Sequence, residues 1–114
     1  MIPRALASAP LKPMVLSILA AGENYGYQII QRIRDLSEGD IHWTTGTLYP
    51  FLHDLENEEL VESYWQNVEG APRRKYYRLT PLGRQALDHE KAQWMSVHRI
   101  LMGLWGQQPD LNWA

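Results

Sequence analysis

Apolar residues recur along this chain at two different periods, and the change from one to the other outlines a fold. Met14, Val15, Ile18 and Leu19 repeat at helical spacing behind Pro13. A proline in the first helical turn costs little, because its missing N–H would be unpaired there anyway. Gly22 reads as the C-terminal stop of this first helix. The residues before it are small, carry Pro3 and Pro10, and read as a loose lead-in.

A second helical pattern covers Gly22–Gly39. Asn24 is its expected N-cap, Tyr25, Ile29, Ile33 and Leu36 form one apolar face, and Ile30 widens that face. Gly26 falls in its first turn, a poor position on helix propensity. A closely packed neighbouring element would account for it. Asp40–Trp43 links to a third helix, with Trp43 read as core. Leu48, Leu52 and Leu55 are the core-facing set of that helix, which ends near Glu58–Glu59.

The period then changes. Leu60–Gln66 and Arg74–Leu79 are rich in Val, Tyr and Trp and read as strands, with a turn over Asn67–Pro72 between them. Thr80 followed by Pro81 is a strong helix start, and the last helix is expected to reach Leu104 or Trp105. Leu87, Trp94 and Leu101 are spaced by heptads, with Val97 and Leu104 between them, and Met95 and Met102 add a second apolar row. That is more apolar surface than one small domain can cover, so this helix is expected to pack against a second copy of the chain. Residues 107–114 read as a flexible tail.

The order helix, helix, helix, hairpin, long helix predicts an α+β fold, mainly α with a small β-hairpin. It describes a winged helix-turn-helix over residues 1–79 and a C-terminal dimerisation helix over 80–106. In such a fold the third helix enters the DNA major groove and the hairpin touches the backbone beside it.

The first turn of the third helix fits that role. Thr44, Thr45 and Thr47 offer hydroxyls for capping or for phosphate. Gly46 has no side chain to hold a phosphate away, and helix N-termini favour anions. Pro50 is harmless if the regular helix begins at Thr47, but lies too deep if it begins at Thr44. Tyr49 and His53, four residues apart, share a face away from the leucines and point toward DNA.

Charge sharpens this picture. The net charge of −2 does not favour nucleic acid, but its distribution is uneven. Leu55–Gly70 holds five acids and no base, whereas Ala71–Arg78 holds Arg73, Arg74, Lys75 and Arg78 and no acid. Such a basic strand can bind phosphate, or can simply be a solvated edge that blocks aggregation. The chain has no cysteine, so disulfides, thiolate catalysis and Cys-based zinc sites are excluded. His42, His53, His89 and His98 lack metal-ligand spacing, and no nucleophile motif or phosphate-binding glycine loop is present. No enzyme activity, metal or cofactor is expected. No apolar run approaches the ~18 residues needed to span a bilayer, so a soluble, cytoplasmic protein with no membrane partner is expected.

Four stretches carry a family resemblance: Tyr25–Ile33 (YGYQIIQRI), Gly46–Glu56 (GTLYPFLHDLE), Leu60–Trp65 (LVESYW) and Arg73–Gly83 (RRKYYRLTPLG). In this order and spacing they resemble the PadR family of bacterial transcriptional regulators, in its short branch with a single C-terminal helix. The resemblance implies a homodimeric repressor on a roughly palindromic operator, released by a small aromatic or hydrophobic compound. It implies DNA contacts from Thr45, Thr47 and Tyr49 and from Arg73, Arg74 and Lys75 of the wing. It also implies that the terminal helix dimerises with helix one, and that Trp94 lines the effector cavity. A winged helix that binds a protein, or a ligand-binding dimer without an operator, are the rival readings. The family pattern has a glycine where this chain has Glu59; a non-glycine in a left-handed cap costs about 1 kcal/mol.

Overall fold

The computed structural model of the chain describes residues 2–106; the expected tail, residues 107–114, lies outside the described residues. Its elements in chain order are α1 (Arg4–Ser8), α2 (Leu11–Ala21), β1 (Asn24–Tyr25) and α3 (Gly26–Leu36). They continue with α4 (Thr45–Asn57), β2 (Val61–Val68), β3 (Ala71–Leu79) and α5 (Pro81–Trp105). This is the α+β winged helix the pattern predicts, with several local differences.

The lead-in contains the short helix α1, and Ile2 and Ala7 pack on the core from either side of its start. Gly22 ends α2 in extended backbone at φ 161°, with its N–H donating to the Leu19 carbonyl, and not as a left-handed stop. Asn24 does not cap α3. It lies in β1, where its Oδ1 accepts from the Tyr25 N–H, and Tyr25 occupies the cap position. Asn24 and Tyr25 pair with Tyr77 and Tyr76, so the hairpin becomes a three-stranded antiparallel sheet in the order β1-β3-β2. A two-residue strand leaves no periodic signal, so only its partner reveals it. Leu36, expected on the buried face of α3, is exposed in the last turn of the helix.

The hairpin is longer and its turn tighter than expected. Val68 pairs with Ala71 across Glu69 and Gly70, and Gly70 takes a positive φ of 74°. Pro72 lies inside β3 at an irregularity, where Pro72 and Arg73 face the single residue Asn67. A bulge tolerates proline because the ladder is already interrupted there.

Leucines and isoleucines from α2, α3 and α4 meet in one core, which Ile41 and Trp43 of the linker, Val61 and Tyr77 of the sheet, and Leu87 of α5 complete. Among the described residues no charged or polar side chain is buried with them. Trp43 is thus core, as its position predicts.

Both helices of the helix-turn-helix end in the same device. Glu38 and Glu59 adopt φ 53° and 63°, and the N–H groups of Gly39 and Leu60 reach back to the carbonyls of Arg34 and Leu55. These are left-handed caps with glutamate where glycine is preferred. Glu59→Gly is expected to raise the unfolding free energy by about 1 kcal/mol, at unchanged denaturant slope in a urea titration. A drop in stability would mean that the glutamate side chain contributes more than its backbone strain costs.

Thr80 fastens α5 to this cap. Its Oγ1 accepts from the Gly83 N–H at 2.9 Å and donates to the Glu59 carbonyl at 2.6 Å. Gly83 and Leu87 are buried, so the first turns of α5 belong to the core of the same chain. Leu87 is therefore not available for an interface with another copy. Past Leu87 nothing on α5 is buried: Trp94, Met95, Val97, Ile100, Leu104 and Trp105 are exposed, and Leu101 and Met102 are half-buried. The helix projects from the body, and the extents of the molecule are 60 × 29 × 21 Å.

Candidate nucleic-acid interface

The α4 helix begins at Thr45, with Thr44 in extended backbone as its N-cap residue. The Thr44 side chain makes no capping bond and lies instead 3.4 Å from the Thr47 hydroxyl. The first-turn N–H groups of α4 are therefore not used up by a side-chain cap. Thr44, Thr45, Gly46 and Thr47 are all exposed. A Cβ built on Gly46 would meet only the Thr44 hydroxyl, at 3.7 Å, so this turn presents open backbone to the outside. The helix starts between the two positions that the sequence allows, so Pro50 lies within it. The proline withholds the N–H that would bond the Gly46 carbonyl, so the exposed first turn is also weakly tied to the rest of α4.

Tyr49 turns back across the helix pair. Its ring lies against Gly26 so closely that a Cβ there would come within 2.7 Å of Tyr49 Cε1 and Cζ. This is the close neighbour that a glycine in the first turn of α3 requires. Tyr49 is still 41% exposed, and with His53 it forms the α4 wall of a groove of about 680 Å³. His53 Nδ1 is 3.4 Å from Asn57 Nδ2.

The opposite wall is the hairpin, where strand alternation divides the basic cluster. Lys75 is paired with Trp65, and Tyr77 with Ser63, whose hydroxyl donates to Glu56 of α4 at 2.5 Å. That register turns the face bearing Arg73, Lys75 and Tyr77 toward α4. Arg73 lies over the Trp65 ring at 5.0 Å, and Lys75 is 6.0 Å from the same ring. Arg74 belongs to the other face but reaches the rim of the groove, over the Tyr25 ring at 4.5 Å.

Arg78 is committed elsewhere. Its Nε donates to Glu62 at 2.7 Å, and Glu23 lies 3.7 Å away. The Tyr64 hydroxyl donates to Glu23, which raises the tyrosine above its ordinary pKa, and the bond to Glu62 raises Arg78 further above its own. Of four bases that look equivalent in sequence, three border the groove and one holds the sheet together.

The structure thus brings Tyr49, His53, Arg73, Arg74 and Lys75 to one groove, with the threonines and Gly46 at the exposed start of the same helix. Four further aromatics that sequence reasoning did not assign to the site also line it: Tyr25, Tyr27, Trp65 and Tyr77. The signal was present in part, since Trp65 precedes the turn at the position that pairs with the basic strand. Burial, and then the nearby Glu56 and Tyr49, raise the Tyr77 hydroxyl above its ordinary pKa, so it stays neutral. No acidic residue is among the lining side chains.

Trp94, Val97, Leu101 and Leu104 lie on the projecting part of α5, away from this groove. Among the described residues no helix is long and apolar enough to cross a membrane, and no cluster of side chains could hold a metal ion.

Known proteins share this fold. Transcriptional regulator Rv3488 of Mycobacterium tuberculosis is 34% identical over 100 residues, covering 88% of this chain and 90% of that protein. A PadR family transcriptional regulator from Eggerthella lenta superposes with a TM-score of 0.77 at 33% identity, over 91% of this chain and 88% of that one. A transcriptional regulator from Clostridium thermocellum gives a TM-score of 0.80 at 27% identity, over 89% and 95% of the two chains. Residues 15–89 match the PadR-like transcriptional regulator family pattern, and with this fold and these relatives the chain belongs to that family.

Proposed function

We propose that this regulator is a homodimeric repressor that binds a pseudo-palindromic operator in double-stranded DNA and acts in the cytoplasm. Residues 1–79 form the DNA-binding unit, and residues 80–106 the dimerisation helix. Thr44, Thr45, Gly46 and Thr47 meet phosphates at the start of α4, and Tyr49 and His53 follow along the same helix. Arg73, Arg74 and Lys75 hold the backbone from the wing. The observation that carries this reading is that Tyr49 and His53 of α4, a helix whose start has no side-chain cap, share with Arg73, Arg74 and Lys75 a groove that no acid lines.

Dimerisation is supported by the exposed Trp94, Val97 and Leu104 on α5, with half-buried Leu101 between them. Fully burying an exposed side chain of this kind gains roughly 1.5–3 kcal/mol, and these, already partly covered, gain a fraction of that each. Trp94 is also the proposed platform for a small aromatic effector whose binding releases the DNA.

Titration into labelled duplex DNA from upstream of its own gene, beside a scrambled duplex, tests this reading. With about three or four phosphates neutralised per subunit, the log–log salt slope is expected near −5 to −7, at two chains per duplex. Equal binding to both duplexes, or a slope near zero, would remove operator binding. A winged helix serving a protein partner would then be the better reading.

A further inference from the structure

The first turn of α4 lacks several of the restraints that usually hold a helix start. Thr44 gives it no side-chain cap, and Pro50 withholds the N–H that would bond the Gly46 carbonyl. Gly46 itself is a poor helix former. The N–H groups of Thr47 and Leu48 share one acceptor, the Thr44 carbonyl, at 3.1 and 3.0 Å. Leu48 is buried and anchors one side of this turn in the core.

The other side is held by Tyr49. Its ring crosses to the first turn of α3 and takes up the space left where residue 26 has no side chain. A Cβ at Gly26 would lie 2.7 Å from Cε1 and Cζ of that ring and 2.8 Å from its hydroxyl. These atoms are the far end of a side chain that is 41% exposed, so the ring can swing outward. A methyl group at position 26 therefore displaces the ring and leaves the two backbones in place. Helix propensity alone favours alanine over glycine there. The glycine runs against that local preference, and the ring is what it accommodates.

We propose that Gly26 is a positioning residue for DNA binding. By having no side chain it seats the Tyr49 ring, and the seated ring holds the loosely tied first turn of α4, with Thr45, Gly46 and Thr47, in the placement its DNA contacts require. The effect on DNA rests on the DNA-binding reading above; the seat of the ring and its hold on the turn do not.

Gly26→Ala is the test, measured with and without DNA. Without DNA, hydrogen exchange followed by NMR should show the Thr47 and Leu48 N–H groups exchanging about tenfold faster than in the wild type, because the turn opens locally. Tm should stay within a few degrees of the wild type, since the displaced group is a side-chain end and alanine is the better helix former. With DNA, operator affinity should fall about tenfold or more, because contacts held out of place are lost. Tyr49→Ala removes the ring, and adding Gly26→Ala to it should change neither exchange nor affinity further, the non-additivity expected of two residues in contact. Tyr49→Phe keeps the ring and should keep the slow exchange. Wild-type exchange in Gly26→Ala overturns the proposal. So does a Gly26→Ala effect that persists in full beside Tyr49→Ala, since it would then belong to α3 alone. Faster exchange at wild-type operator affinity overturns it too, because the hold would not serve DNA binding. If the wild-type protein binds no operator, the DNA-binding reading fails, while the exchange rates still decide whether Gly26 seats the ring.

Discussion

Replacing Arg73 and Arg74 together by alanine is expected to lower operator affinity roughly 10³-fold at ~0.15 M salt, the larger functional effect of any change to the wing. A dimer of this variant lacks four phosphate contacts. Each contributes about 0.9 to the log–log salt slope, so the slope should become less steep by roughly 3 to 4. The loss should be similar on specific and scrambled duplexes, because contacts to phosphate carry no sequence information. Folding should survive. Arg73 and Arg74 lie over the rings of Trp65 and Tyr25, and neither is ion-paired to a described carboxylate. Exposed contacts of this kind contribute roughly 0.5–1 kcal/mol each, so stability falls by about 1–2 kcal/mol at most. Arg78→Ala makes the useful contrast, since it strands Glu62 and leaves Glu23 with Tyr64 alone, without removing a base that borders the groove. Mobility-shift assays on the three proteins, at two salt concentrations, check the prediction. Wild-type affinity in the Arg73/Arg74 variant would take the wing out of DNA binding.

Gly83→Ala is expected to have the largest effect on stability. A Cβ at that position would lie 2.0 Å from the Leu60 carbonyl oxygen and 2.8 Å from Leu79 Cδ1. Neither the end of α4 nor the start of β2 can move aside freely, because Thr80 binds the Glu59 carbonyl and the Thr80 N–H binds the Leu60 carbonyl. Accommodating a methyl against backbone costs about 3 kcal/mol or more. That corresponds to a fall in Tm on the order of 10–20 °C for a domain of this size. Gly103 on the same helix meets nothing within 4 Å, so the same substitution there should stabilise by about 0.5–1 kcal/mol through helix propensity. Thermal unfolding of both variants followed by circular dichroism gives the comparison. If Gly83→Ala melts with the wild type, the seat of α5 on the hairpin is looser than these distances imply.

Local signals made most of the architecture legible. The spacing of Leu48, Leu52 and Leu55 names a buried helix face, and all three are buried. Thr80 with Pro81 is a strong helix start, and here Thr80 accepts from the Gly83 N–H while Pro81 takes the first helical position. Gly26 announced a close neighbour through its poor helix propensity. Each of these signals depends on residues a few positions apart, and so survives in a one-dimensional reading.

What stayed hidden depends on residues far apart in sequence. Asn24 looks like an N-cap, and became a strand only because Tyr77 was there to pair with it. Leu87 belongs by spacing to the seam of a dimer helix, yet the first turns of α5 fold back onto their own core and bury it. The four bases from Arg73 to Arg78 form one cluster in sequence, but alternation and the placement of Glu23 and Glu62 divide them between a groove and a structural ion pair. The sequence by itself determined the four longer helices, the hairpin and the winged-helix class, because periodicity and capping are local. Only the tertiary structure decided which neighbour each side chain meets. It joined Tyr25, Tyr27, Tyr49, Trp65 and Tyr77 into one aromatic groove, since five elements, β1, α3, α4, β2 and β3, must be packed together before those rings share a surface.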